Sequence, residues 1–241
     1  MKIDRRILTL LTVALLASLP AWSRAQEDTP DTTTTSDSDT NATLTLKELM
    51  AANDQVTNTV GIVLVKISPT LWVGKYELTQ DAYQKVTGNN PSAFSGGDHP
   101  VDSVDWNEAM AFCKSLTEKE QKANELPKGY IYTLPTQAQW ERLVDDATLD
   151  DAVMSLNMQR RSSTATVGSR GANALGLCDM RGNVLEWCLD PQDKPYRVLR
   201  GGAWDTFIEV NSRTAFREYS NPDKTKNDYG FRVVLETKGS K

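Results

Sequence analysis

The sequence predicts an α+β fold, with two main helices set in loop-rich, irregular β structure. Asp105 with Glu108, and Thr136 with Gln139, stand at the spacing of an N-cap and its capping-box partner, each ahead of an apolar stripe of helical period. From Thr164 onward the chain turns into short apolar runs broken by Gly, Asn, Asp and Pro, a pattern of short strands and turns.

In chain order, Lys2, Arg5 and Arg6 precede an apolar run from Ile7 to Trp22, and Ser23-Arg24-Ala25 places small residues where a signal peptidase cuts. Residues 1–25 therefore read as a signal peptide of bacterial style, because the apolar part is shorter than the ~20 residues a spanning helix needs. The mature chain is expected to be exported, periplasmic or secreted, with no stable membrane insertion after cleavage. Residues 26–57 read as an acidic, Thr/Ser-rich linker with a short helix over 43–53. Its first part carries no large apolar side chain to offset the entropy of ordering it.

Residues 58–238 are long enough for one domain with a sizeable core. The formal net charge is −5, and no basic stripe is visible, which argues against nucleic acid as a partner. His99 is the only histidine, so zinc-protease motifs and multi-histidine iron centres are excluded. It lies in the turn-forming S-G-G-D-H-P and reads as a surface loop residue.

Two β-branched and aromatic runs, 61–67 and 71–78, flank Ser68-Pro69-Thr70 and predict a hairpin. Thr79 then caps a helix to about Val86. The helix opened by Asp105 places Trp106, Ala109, Met110, Cys113 and Leu116 on one face, and the helix opened by Thr136 buries Trp140, Leu143, Val144 and Ala147. The chain closes with the strand-like G-F-R-V-V-L-E.

The stretch G-L-C-D-M-R-G-N-V-L-E-W (176–187), followed by R-V-L-R-G-G-A-W (197–204), resembles the signature of formylglycine-generating enzymes, also called sulfatase-modifying factors. Y-E-L-T-Q (76–80), P-V-D-S-V-D-W-N-E-A (100–109), Y-T-L-P-T-Q-A-Q-W-E (132–141) and G-F-R (230–232) follow the same family's order. The resemblance implies a formylglycine-generating-enzyme-like fold, similar to a C-type lectin, across nearly all of 60–234. It also implies a calcium ion held by Asp179 and Glu186 carboxylates with the carbonyls of Gly182 and Val184, oxygen ligands of the kind calcium takes. The alternative is that Asp179 caps a turn and Glu186 pairs with an arginine such as Arg200. Asn183 reads as a structural amide bonding the backbone.

In oxidase members of the family, two cysteines just after R-G-G-[SA]-[WFY] bind copper(I), a soft ion that prefers thiolates. The matching positions here are Thr206 and Asn211, so no catalytic residue is assigned and no copper is expected. Cys113 falls where family members can have a disulfide, but Val233 fills its partner position. Cys178 and Cys188 either pair across their loop or remain free thiols. Between R-G-G-A-W and G-F-R, the residues Trp204, Asn211, Arg213, Phe216, Arg217 and Tyr219, with Phe207 nearby, mix rings, an amide and guanidinia in loop context. They are the candidate ligand-binding residues; the plainer alternative is that the arginines Arg200, Arg213, Arg217 and Arg232 pair with carboxylates and stack on rings. The expected function is a non-catalytic, calcium-stabilised binding or accessory module for an unknown protein or small molecule. The alternative is a protein-modifying oxidase that converts a target cysteine to formylglycine.

Overall fold

The computed structural model describes residues 44–155, 160–190, 195–207 and 216–239. The expected signal peptide and the acidic tether lie outside the described residues. Asn211 and Arg213 do too.

The mixed α+β architecture expected from the sequence is present. Helix α1 (Leu46–Ala52) lies within the stretch 43–53, and its Leu46 and Met50 are buried in the larger core. Strands β1 (Gln55–Thr57), β2 (Val63–Ser68) and β3 (Leu71–Gly74) follow, with β2 and β3 forming the predicted antiparallel hairpin. Helix α2 (Gln80–Thr87) starts where the Thr79 hydroxyl accepts from the Ala82 amide and stops at Gly88, whose φ of 84° is left-handed.

Helix α3 (Trp106–Lys122) opens with a reciprocal capping box: Glu108 N–H donates to Asp105 Oδ1 at 2.7 Å, and Asp105 N–H to Glu108 Oε2 at 2.9 Å. The face it buries carries Ala109, Phe112, Cys113 and Leu116, while Trp106 and Met110 sit half-buried at its margin. Strand β4 (Tyr130–Thr133) leads into α4 (Gln137–Val144), where Thr136 and Gln139 form the second capping box and Trp140, Leu143 and Val144 are buried. Strands β5 (Leu185–Trp187), β6 (Arg197–Arg200), β7 (Glu218–Ser220), β8 (Tyr229–Gly230) and β9 (Val234–Thr237) complete the domain.

The strands form two sheets, ordered β1-β2-β3-β9-β4 and β7-β6-β5-β8. Every pairing is antiparallel except β5 with β8. The larger core joins α1, α2 and α3 to both sheets, with Tyr83 and Phe112 stacked at 5.5 Å and Phe231 edge-on to each. A smaller core packs Trp140 and Leu143 of α4 against Val73, Val198 and Val234. Cys113, Cys178 and Cys188 are all free and buried, so the structure contains no disulfide between Cys178 and Cys188. No helix among the described residues is long and apolar enough to cross a membrane.

Candidate functional site

The loop between Cys178 and Trp187 owes its shape to three residues with positive φ: Asp179 (57°), Gly182 (85°) and Asn183 (59°). A Cβ at Gly182 would collide with the Val153 carbonyl, so both φ and close approach require glycine there. Asn183 N–H donates to that carbonyl at 2.7 Å, and Gly182 N–H to Gly201 O at 3.0 Å. The two glycine turns of the signature are thereby locked to each other.

Beneath this loop lies a buried polar cluster. Arg232, from the G-F-R element, is fully buried and directs every guanidinium nitrogen to an acceptor. Nε and Nη2 bond Glu186 Oε1 at 3.2 and 2.8 Å, Nη1 bonds the carbonyls of Gly74 and Lys75 at 2.8 and 2.9 Å, and Nη2 also bonds Cys178 O at 2.8 Å. Glu186 Oε2 accepts from Trp140 Nε1 at 2.9 Å. The arginine on Glu186 is therefore Arg232, whereas Arg200 pairs with Glu141 at 2.9 Å and stacks on Trp140.

Sequence reasoning missed Glu77, which is 1% exposed. Its Oε1 accepts from Val184 N–H at 2.9 Å and its Oε2 from Asn183 Nδ2 at 2.7 Å. Asn183 also exchanges hydrogen bonds with both main-chain groups of Ala165, the structural role its sequence position predicts. The only hint of Glu77 in the sequence is a lone carboxylate among the apolar residues of Y-E-L. Burial, then the Asp179 and Glu186 carboxylates, push the Glu77 carboxyl well above its usual range. Burial likewise raises Asp179, although the Gly168 amide at 2.6 Å and Arg232 oppose the rise.

Ionised together, Glu77, Asp179 and Glu186 face the single charge of Arg232 with a surplus of two negative charges. Asp179 Oδ1 is buried with no hydrogen-bond partner. Among the described residues no three Asp, Glu, His or Cys side chains converge as a metal cluster. A cation beside Asp179 would thus rely on that carboxylate and on main-chain carbonyls more than on a ring of side chains. The unsatisfied Asp179 oxygen is the feature of the loop that fits a divalent cation.

The second region follows R-G-G-A-W. Ala203 N–H donates to Thr206 Oγ1 at 2.8 Å and Thr206 N–H to Ala203 O at 3.0 Å, so this hydroxyl closes a turn. Trp204 is half-buried, edge-on to Phe94 at 5.2 Å, and donates Nε1–H to Asn227 O at 3.2 Å. The three further candidates among the described residues have different neighbours. Phe216 packs on the larger core, Arg217 pairs with Glu141 and donates to Gln137 of α4, and Tyr219 stands exposed on β7 opposite Val198.

The three thiols are buried in separate elements. Cys113 and Cys188 are at most 1% exposed and burial pushes both thiols up; burial and the Asp179 charge push Cys178 up. They stand on α3, in the 178–187 loop and just after β5. His99, half-buried, places Nδ1 2.9 Å from the Thr164 hydroxyl.

The sequence model of the sulfatase-modifying factor enzyme 1-like domain matches residues 31–237. "Chaperone protein LppX" of Paenibacillus barcinonensis is 28% identical over 227 residues, 68% of this chain and 79% of that protein. The "Formylglycine-generating enzyme" of Streptomyces coelicolor is 28% identical over 56% of this chain. The "Inactive C-alpha-formylglycine-generating enzyme 2" of Bos taurus is 29% identical, also over 56%. The match spans only about half of each of these two, 52% and 50% of their lengths. Among solved structures, "Treponema denticola variable protein 1" superposes with a TM-score of 0.60 at 24% identity, over 76% of this chain and 94% of that one, and so shares the fold. With the signature loops, both capping boxes and the family match over 31–237 in agreement, the chain belongs to the sulfatase-modifying factor, or formylglycine-generating enzyme, family.

Proposed function

We propose that this protein is an exported, non-catalytic member of its family, a calcium-stabilised binding or accessory module on a C-type-lectin-like scaffold. One observation carries the reading. Thr206 stands where the oxidase pattern needs a thiol, and its hydroxyl is already committed to the turn at Ala203. A hydroxyl offers copper(I) no soft ligand. The Asn211 position, also not a cysteine, leaves a second gap in the pattern. The buried thiols of Cys113, Cys178 and Cys188, each in a different element, do not fill it. That the family includes a protein named inactive and another named a chaperone is in keeping with this reading.

Calcium, where bound, would be held by the unsatisfied Asp179 carboxylate with the carbonyls of Gly182 and Val184, and would take Glu186 as a ligand only in exchange for its bonds to Arg232 and Trp140. The surface from Trp204 to Tyr229 is the proposed contact for the protein or small-molecule partner. Tyr219, 60% exposed, is the clean probe of that surface, because Phe216 also packs on the core.

The experiment is direct. The purified mature protein, loaded with copper(I) and supplied with oxygen, is incubated with a cysteine-containing sulfatase-type peptide and the peptide is weighed by mass spectrometry. It stays unmodified under this reading. Formylglycine above a no-protein control would establish the oxidase instead.

A further inference from the structure

We propose that the cleft between the Arg160–Arg161 pair and the Trp204–Phe207 turn is an anion site, and that it takes the carboxylate of an acidic peptide segment. The proposal rests on the binding-module reading and names the ligand class of that module. The cleft encloses about 370 Å³, within the range of small-ligand sites.

Its walls are pinned together. Ser155, 2% exposed, donates its hydroxyl to Trp204 O at 3.1 Å and accepts from Arg161 N–H at 3.1 Å, and its backbone bridges to Phe207. One hydroxyl thus fixes the main chain of Arg161 relative to the turn across the cleft.

The charges are unspent. Arg161 Nε is buried with no hydrogen-bond partner, and neither Arg160 nor Arg161 forms an ion pair among the described residues. No Asp or Glu occurs in the sequence between Asp151 and Asp179. Arg160 lies over the Phe207 ring at 5.3 Å, which holds its guanidinium at the cleft while Phe207 remains 50% exposed.

A buried N–H without an acceptor costs free energy that a ligand oxygen recovers, and the planar guanidinium fork suits a carboxylate. Asp205 also lines the cleft, leaving the two arginines and this aspartate a net charge of one positive unit. That balance suits a monoanionic carboxylate better than a doubly charged phosphate. The exposed Phe207 ring beside the guanidinia further favours an acid that adjoins an apolar side chain.

The test is calorimetric titration of the mature protein with the peptide acetyl-Gly-Asp-Phe-Gly-amide, with its Asp→Asn analogue and with sodium sulfate. The Asp peptide should bind, and the Asn analogue should be weaker by about tenfold or more. Arg161→Gln and Arg160→Gln should each weaken the Asp peptide by a similar factor. Arg160→Gln serves as the arbiter should the Arg161 variant fail to fold, since circular dichroism reports folding separately. Equal binding of both peptides, no binding, or affinity unchanged in the arginine variants overturns the proposal. Sulfate binding as tight as the peptide would mark an adventitious anion site only and would overturn it too. None of these failures touches the non-catalytic reading, which mass spectrometry tests by itself.

Discussion

Arg232 and Arg161 are the same side chain in opposite circumstances. Arg232 sits at the centre of the fold with Nε, Nη1 and Nη2 each bonded to acceptors from Gly74, Lys75, Cys178 and Glu186. Arg161 lines a cleft with its Nε unpartnered. The first arrangement over-determines the scaffold, whereas the second holds unused hydrogen-bonding capacity at a surface. Among the described residues, Arg200, Arg217 and Arg232 are each paired with a carboxylate, whereas Arg160 and Arg161 are not.

The largest effect that would sharpen this comparison is expected from Arg232→Met. Removing the one cation among Glu77, Asp179 and Glu186 strands buried carboxylates, which costs ~3–5 kcal/mol. Urea denaturation should show that loss. A drop below ~1 kcal/mol would mean the cluster relaxes or is already neutral.

Next in size is calcium. A cation bound only by the folded state stabilises it by ~2.7 kcal/mol at a hundredfold excess over its dissociation constant. Melting temperature should rise with calcium, fall with chelator, and lose both responses in Asp179→Asn. Identical melting with calcium and with chelator would leave Arg232 as the sole counter-charge of the loop.

Thr206→Val should cost about 1 kcal/mol, because the Ala203 amide loses its acceptor at the turn facing the cleft. No loss would show that water replaces the hydroxyl there.

A smaller, pH-dependent effect belongs to Asp228, near the same turn. Burial first and the Asp205 charge second push its carboxyl up to about 6, and its Oδ1 has no partner. Since the folded state holds this proton more tightly, stability is greater below the ordinary aspartate value of ~3.9 and falls as pH rises toward about 6. Asp228→Asn should flatten that slope between those pH values. An unchanged slope would assign it to other carboxylates.

Much of the fold was legible because its signals are local. Thr79, Asp105 and Thr136 announce helix starts within four residues, and Ser68-Pro69-Thr70 announces the hairpin without reference to anything distant. The site was legible where a loop carries its own geometry, as at Asp179, Gly182 and Asn183, all with positive φ. It was not legible where partners come from far along the chain. Glu77 meets Asn183 across 106 residues and Arg232 meets Glu186 across 46, and neither pairing leaves a spacing to read. Arg200, Arg213, Arg217 and Arg232 look alike in sequence, yet Arg200 and Arg232 are in the interior, Arg217 pairs with α4, and Arg213 lies outside the described residues. Arg160 and Arg161 carried one readable signal, the absence of acidic residues between Asp151 and Asp179, which matters only beside the observation that neither forms an ion pair among the described residues.

The comparison is tested most directly by the urea midpoint of Arg161→Gln beside that of the wild-type protein. A guanidinium that awaits a ligand contributes nothing to the unliganded fold, and removing a buried N–H that lacks an acceptor even relieves a small cost. The midpoint should therefore be unchanged or slightly higher. A fall approaching that of Arg232→Met would show that Arg161 is part of the scaffold, and the distinction between satisfied and waiting arginines would fail.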